Sequence, residues 1–77
     1  MQLQTLVFNT TTKTVQVWES YRDSSQLMLE YENIPTVKPK EEGYYEVIQK
    51  EMSSNGLETN YPVARFPIHM TNMVIER

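Results

Sequence analysis

At 77 residues, with a net charge of −3 and no cysteine, the chain is confined to one small domain. Its thin core has no disulfide to draw on, and thiolate zinc sites, iron–sulfur clusters and cysteine nucleophiles are excluded together. Seven basic residues (Lys13, Arg22, Lys38, Lys40, Lys50, Arg65 and Arg77) are spread along the sequence rather than clustered, which argues against binding duplex DNA or RNA.

The first residues, MQLQTLVFNTTTK, lack a basic n-region and a long apolar stretch, so they read as neither signal peptide nor membrane anchor, and the chain is expected in the cytoplasm. LQTLVF (3–8) and TVQVWE (14–19) are β-branched and aromatic runs around a threonine-rich turn, a hairpin with Val15 and Val17 on one face and Gln16 and Trp18 on the other. The glycosylation-like triplet Asn9, Thr10, Thr11 is read as part of that turn. After the polar SYRDSSQ, LMLEYEN alternates Leu27, Leu29 and Tyr31 with Met28, Glu30 and Glu32 as a half-buried strand would. A short helix near 23–33 competes, because Asp23 and Gln26 have capping-box spacing.

IPTVKPKEEG (34–43), with two prolines and four charges, reads as an exposed, partly polyproline-like connection dividing the chain into two halves. YYEVIQKEM follows as a strand, and Asn55-Gly56 is the sequence's best turn signal, of the type I′ kind. The return strand runs from Leu57 through Tyr61, Val63 and Arg65. Pro62 and Pro67 cannot donate ladder hydrogen bonds, which places it at a sheet edge or bends it at Pro67. IHMTNMVIE completes the set, with Ile68, Met70 and Val74 on one face and His69, Thr71, Met73 and Ile75 on the other. Together these predict a mainly β single domain over 1–77: a small antiparallel sheet or partly open barrel of about 5–6 strands built from two hairpins. Domains this short gain support from partners, so a homo-oligomer is expected.

No catalytic constellation emerges. One histidine without cysteine leaves only carboxylates as the other zinc ligands, which argues against a tight site. No nucleophile-elbow sequence surrounds any serine, and the two glycines are too far apart for a phosphate loop. Glu41 and Glu42 are adjacent, so in an extended chain they point apart and form no acid/base pair. Glu30, Glu32, Glu41, Glu42 and Glu46 read as a solvated acidic surface, with nucleic-acid mimicry as the alternative. The groups left over could bind a planar or anionic ligand: Trp18, Tyr44, Tyr45 and Tyr61 as stacking rings, Arg65, His69 and Arg77 as charge partners. Each is also an ordinary core or interface residue.

The half GYYEVIQKE…YPVARFPIHMTNMVIE, with polar-spaced strands and no glycine motif, resembles in type the small accessory and early proteins of tailed bacteriophages, including those that act against host defence. That resemblance implies a protein of the infected host's cytoplasm that needs no cofactor and is not an enzyme. It would act as a homo-oligomer that sequesters an anionic signal nucleotide. The alternatives are a stoichiometric inhibitor docked on a host defence protein, or a small component of the phage particle.

Overall fold

The computed structural model describes residues 3–77, and among these the fold is mainly β. Seven strands form in chain order: β1 Gln4–Asn9, β2 Thr14–Ser20, β3 Ser25–Tyr31, β4 Thr36–Lys40, β5 Tyr44–Met52, β6 Glu58–Pro67 and β7 Thr71–Glu76. They make two open sheets rather than one sheet or a barrel, one of four strands ordered β3-β2-β1-β7 and one of three ordered β4-β5-β6. Each sheet begins as an antiparallel meander. The chain then returns from β6 to lay β7 parallel to β1, Leu6 beside Met73 and Phe8 beside Ile75.

The first hairpin follows the expected pattern. Val15 and Val17 face inward opposite Phe8 and Leu6, and all four are buried. Its turn is closed by the Asn9 side chain, whose Oδ1 accepts from the N–H groups of Thr11 and Thr12 at 3.0 and 2.9 Å. This Asx turn explains the Asn-Thr-Thr triplet in structural terms.

Residues 25–31 are strand, not the competing helix, but they are not half-buried. β3 is the outermost strand of its sheet, and Leu27, Met28 and Leu29 are all between 43% and 48% exposed. Only Tyr31 at its end packs against the core, and a register shift between Leu29 and Leu27 interrupts the alternation.

The connection 34–43 differs most from expectation. Thr36–Lys40 is a strand paired with Tyr44–Ile48, and Ile34 is fully buried in the core with Leu6, Phe8, Val15, Val17 and Val47. Pro39 is tolerated because β4 is an edge strand, where a missing donor leaves no ladder position empty. Hydrogen bonds stitch the crossing between the sheets: Ile34 N–H donates to Lys13 O at 2.8 Å, and Lys50 N–H donates to Asn33 O at 2.8 Å.

The Asn55-Gly56 signal does make a hairpin turn, but not type I′, because Gly56 alone in that turn has positive φ (83°). Gly56 N–H donates to Ser53 O and Ser53 N–H to Leu57 O, the pattern of a type I turn followed by one left-handed residue. Beyond the reach of β4, residues 50–60 of β5, β6 and their turn are exposed, and the molecule measures 48 × 26 × 19 Å.

β6 is an edge strand, as its prolines require, and its register with β5 shifts beside Pro62. After Pro67 the chain bends through a single 3₁₀ turn, Ile68–Met70, so the last strand begins at Thr71 and not at Ile68. In consequence His69 lies on the bend, while Thr71, Met73 and Ile75 share the core-facing side with Gln4, Leu6 and Phe8.

Candidate anion-binding face

On the outer face of the three-stranded sheet, antiparallel register sets Lys38, Glu46 and Arg65 in one row across β4, β5 and β6. Lys40, Tyr44 and Pro67 make the adjoining row. Residues two apart on a strand share a face, so Lys38 with Lys40, and Tyr44 with Glu46, form one patch.

Glu46 is its pivot. Only 7% of the residue is exposed, because the long cationic side chains lie over it. Arg65 Nε approaches one carboxylate oxygen at 3.3 Å and Lys40 Nζ the other at 3.8 Å. The Arg65 guanidinium carbon sits 5.0 Å from the centre of the Tyr44 ring, a cation–π arrangement. Bonded through Nε to the carboxylate and lying over the ring, the guanidinium keeps its two terminal nitrogens without a partner among the described residues. Its side chain remains 61% exposed. Lys40 and Arg65 both pair with the Glu46 carboxylate and Lys38 lies beside it in the row, while Glu41 and Glu42 occupy the turn between β4 and β5. A guanidinium lying over an aromatic ring with its terminal nitrogens free is suited to chelating a phosphate or carboxylate.

The structure joins only two of the residues singled out from sequence, Arg65 and Tyr44. Tyr45 packs against the core from the opposite face of the same sheet. Trp18 lies on the outer face of the four-stranded sheet, where its indole N–H donates to Gln16 Oε1 at 3.1 Å. His69 is exposed on the 3₁₀ turn, and Arg77 follows β7. Tyr61 lines a separate open cleft of about 550 Å³ with Lys13, Asn33 and Gln49, and its hydroxyl donates to Gln49 Oε1 at 2.9 Å.

Lys38, Lys40 and Glu46 escaped the sequence reading. Composition groups Glu46 with a solvated acidic surface and the lysines with an exposed, partly polyproline-like connection. The Lys-x-Lys spacing was the available signal, but it places both side chains on one face only once the segment is known to be a strand. Among the described residues no group of three histidine, aspartate or glutamate side chains could hold a metal ion, and no helix is long and apolar enough to cross a membrane.

Two phenols titrate above the ordinary 10.0. At Tyr21 the cause is first its hydrogen bond to Glu19, at 2.9 Å, and then that carboxylate's charge. At Tyr61 it is first desolvation and then the charge of Glu51. The fold thus disfavours both phenolates. Their contribution to stability is complete below pH 10 and is lost as the pH rises through that value toward the raised ones. Spectrophotometric titration of phenolate formation should show Tyr21→Phe and Tyr61→Phe each removing a late-titrating group; early titration of both in the native protein would contradict the assignment.

No protein-family model, curated protein or solved structure matches the chain.

Proposed function

We propose that the protein is a non-catalytic binding protein that holds an anionic ligand on the Lys38–Glu46–Arg65 face and works as a homo-oligomer. In keeping with the phage-type resemblance of its C-terminal half, the ligand class we favour is a signal nucleotide of a host defence pathway. The observation that carries this reading is Arg65: stacked on Tyr44, anchored through Nε by a buried carboxylate, and flanked by Lys38 and Lys40. The outward face of the guanidinium offers a surface for a base, and its free edge offers two parallel donors to a phosphate. The patch is open, so oligomerisation has a functional use here, since each copy repeats the scarce arginine.

Thermal melting against a panel of nucleoside phosphates and cyclic dinucleotides tests this. Ligand at about a hundred times its Kd stabilises a folded protein by about 2.7 kcal/mol, which for a domain of this size raises Tm by about 10–20 °C. Arg65→Ala should abolish the shift and Arg77→Ala should preserve it. A full shift in the Arg65→Ala protein would remove this face from the site.

A second reading, a stoichiometric inhibitor seated on a host defence protein, is favoured by the exposed Leu27-Met28-Leu29 run on β3. Pull-down from host lysate that succeeds with the native protein and fails with Leu27→Lys/Leu29→Lys, while no nucleotide shifts the melt, would select it.

A further inference from the structure

The two sheets have four edges, and three carry devices that block further pairing. β4 presents Lys38, Pro39 and Lys40. β6 contains Pro62 and Pro67 and a register shift. β3 is interrupted by a register shift opposite Val17 and Trp18. β7, TNMVIE, has no proline, no lysine and an unbroken register with β1.

The main-chain groups available on β7 follow from one bond. Thr10 N–H donates to Glu76 O at 2.9 Å, so the peptide groups of Glu76 face β1. Alternation turns Asn72 and Val74 the same way and leaves those of Met73 and Ile75 directed at the open side. Ile75 also lies on the core-facing side beside Phe8, yet is 64% exposed.

We propose that β7 is the interface between two copies of this chain, which pair antiparallel about a two-fold axis at Val74. In that register Met73 and Ile75 of one copy form hydrogen-bonded pairs with Ile75 and Met73 of the other, using the donors and acceptors that are free. Val74 meets Val74 of the second copy in the closer, non-hydrogen-bonded position, and the Asn72 amide meets the Glu76 carboxylate. Sliding by two residues either way sets Glu76 or Asn72 against Val74; sliding by one turns the free groups away from each other. The two four-stranded sheets become one continuous sheet, and the axis perpendicular to it leaves both three-stranded sheets, with both Arg65 faces, on the same side. This inference rests on the self-association put forward above and specifies its surface.

The chain has no cysteine, so Val74→Cys introduces the sole thiol. Across a non-hydrogen-bonded antiparallel pair the Cα atoms are about 4.5 Å apart, within disulfide reach. Light scattering should show a dimer of the native protein, and mild oxidation should cross-link Val74→Cys but not a Gln16→Cys control. Ile75→Pro deletes the open-side donor and a mostly exposed side chain while leaving the donors that face β1 in place, so it should retain the native circular dichroism and weaken the dimer at least about tenfold. Native protein that is monomeric at NMR concentrations would overturn both this interface and the self-association. A native dimer that persists in Ile75→Pro, with Val74→Cys uncross-linked, would overturn the interface alone. Should Ile75→Pro fail to fold, amide exchange in the native protein decides: slow exchange at Met73 and Ile75 supports the pairing, and exchange at the rate of a solvent-facing edge refutes it.

Discussion

Ile34→Ala is expected to destabilise the protein by about 2–4 kcal/mol, the usual cost of removing a fully buried aliphatic side chain and leaving a cavity. Ile34 is 0% exposed and belongs to no strand, yet it sits among Leu6, Phe8, Val15 and Val17 of one sheet and Val47 of the other. A chain of 77 residues has a total stability of about 4–12 kcal/mol, so this one truncation takes a large fraction of it. The melting temperature should fall by about 10–25 °C. Leu57→Ala, at a position 64% exposed, should change stability by less than about 0.5 kcal/mol. Chemical denaturation of the three proteins checks this, and a loss below about 1 kcal/mol at Ile34 would mean that the two sheets do not share this core.

The second large effect is expected from Lys40→Met with Arg65→Met. Either substitution alone leaves Glu46 one cationic partner, and because both cations are substantially exposed each single change should cost no more than about 1 kcal/mol. Removing both strands a carboxylate whose side chain is only 10% exposed with no ion pair. An uncompensated buried charge is expensive, so the double variant should lose about 2–3 kcal/mol, more than the singles combined. Adding Glu46→Leu to the pair should recover most of that loss, because the burial that penalises the charge rewards an apolar side chain. A strictly additive double-mutant cycle would show that Glu46 does not depend on its two neighbours.

What the sequence revealed and concealed divides along physical lines. Local signals were readable. Val15 and Val17 gave the inward face of β2, Asn55-Gly56 gave a turn, and Pro62 and Pro67 gave an edge and a bend. These depend on one residue's backbone freedom or on alternation within one strand. The connection 34–43 was misjudged because composition reports average polarity, and a single isoleucine among prolines and lysines can still enter a core when the chain crosses between sheets there. The strand at β3 was legible but its burial was not, for the complementary reason: alternation shows that a strand has an apolar side, not that anything covers it. The type I′ turn failed because Asn-Gly serves equally in a longer loop, where glycine alone takes the left-handed position.

The candidate site was legible only in pieces. Arg65 and Tyr44 could be nominated as residue types, but their meeting depends on the β5–β6 register, which no short-range pattern encodes. Lys38 and Lys40 joined them only because an unpromising segment turned out to be a strand. Trp18, Tyr45, Tyr61, His69 and Arg77 were nominated by the same chemistry and are dispersed by the topology.

The parallel seating of β7 against β1 also bears on how the molecule assembles in time. Gln4 lies beside Thr71 and Asn9 beside Glu76, so these contacts close a loop that spans nearly the whole described chain. Closing so long a loop is entropically costly and slow compared with forming either meander. During synthesis, the flank of β1 that receives β7 has no partner until almost every other strand has emerged from the ribosome. Pairing of the first of these seven strands with the last should therefore come late in folding.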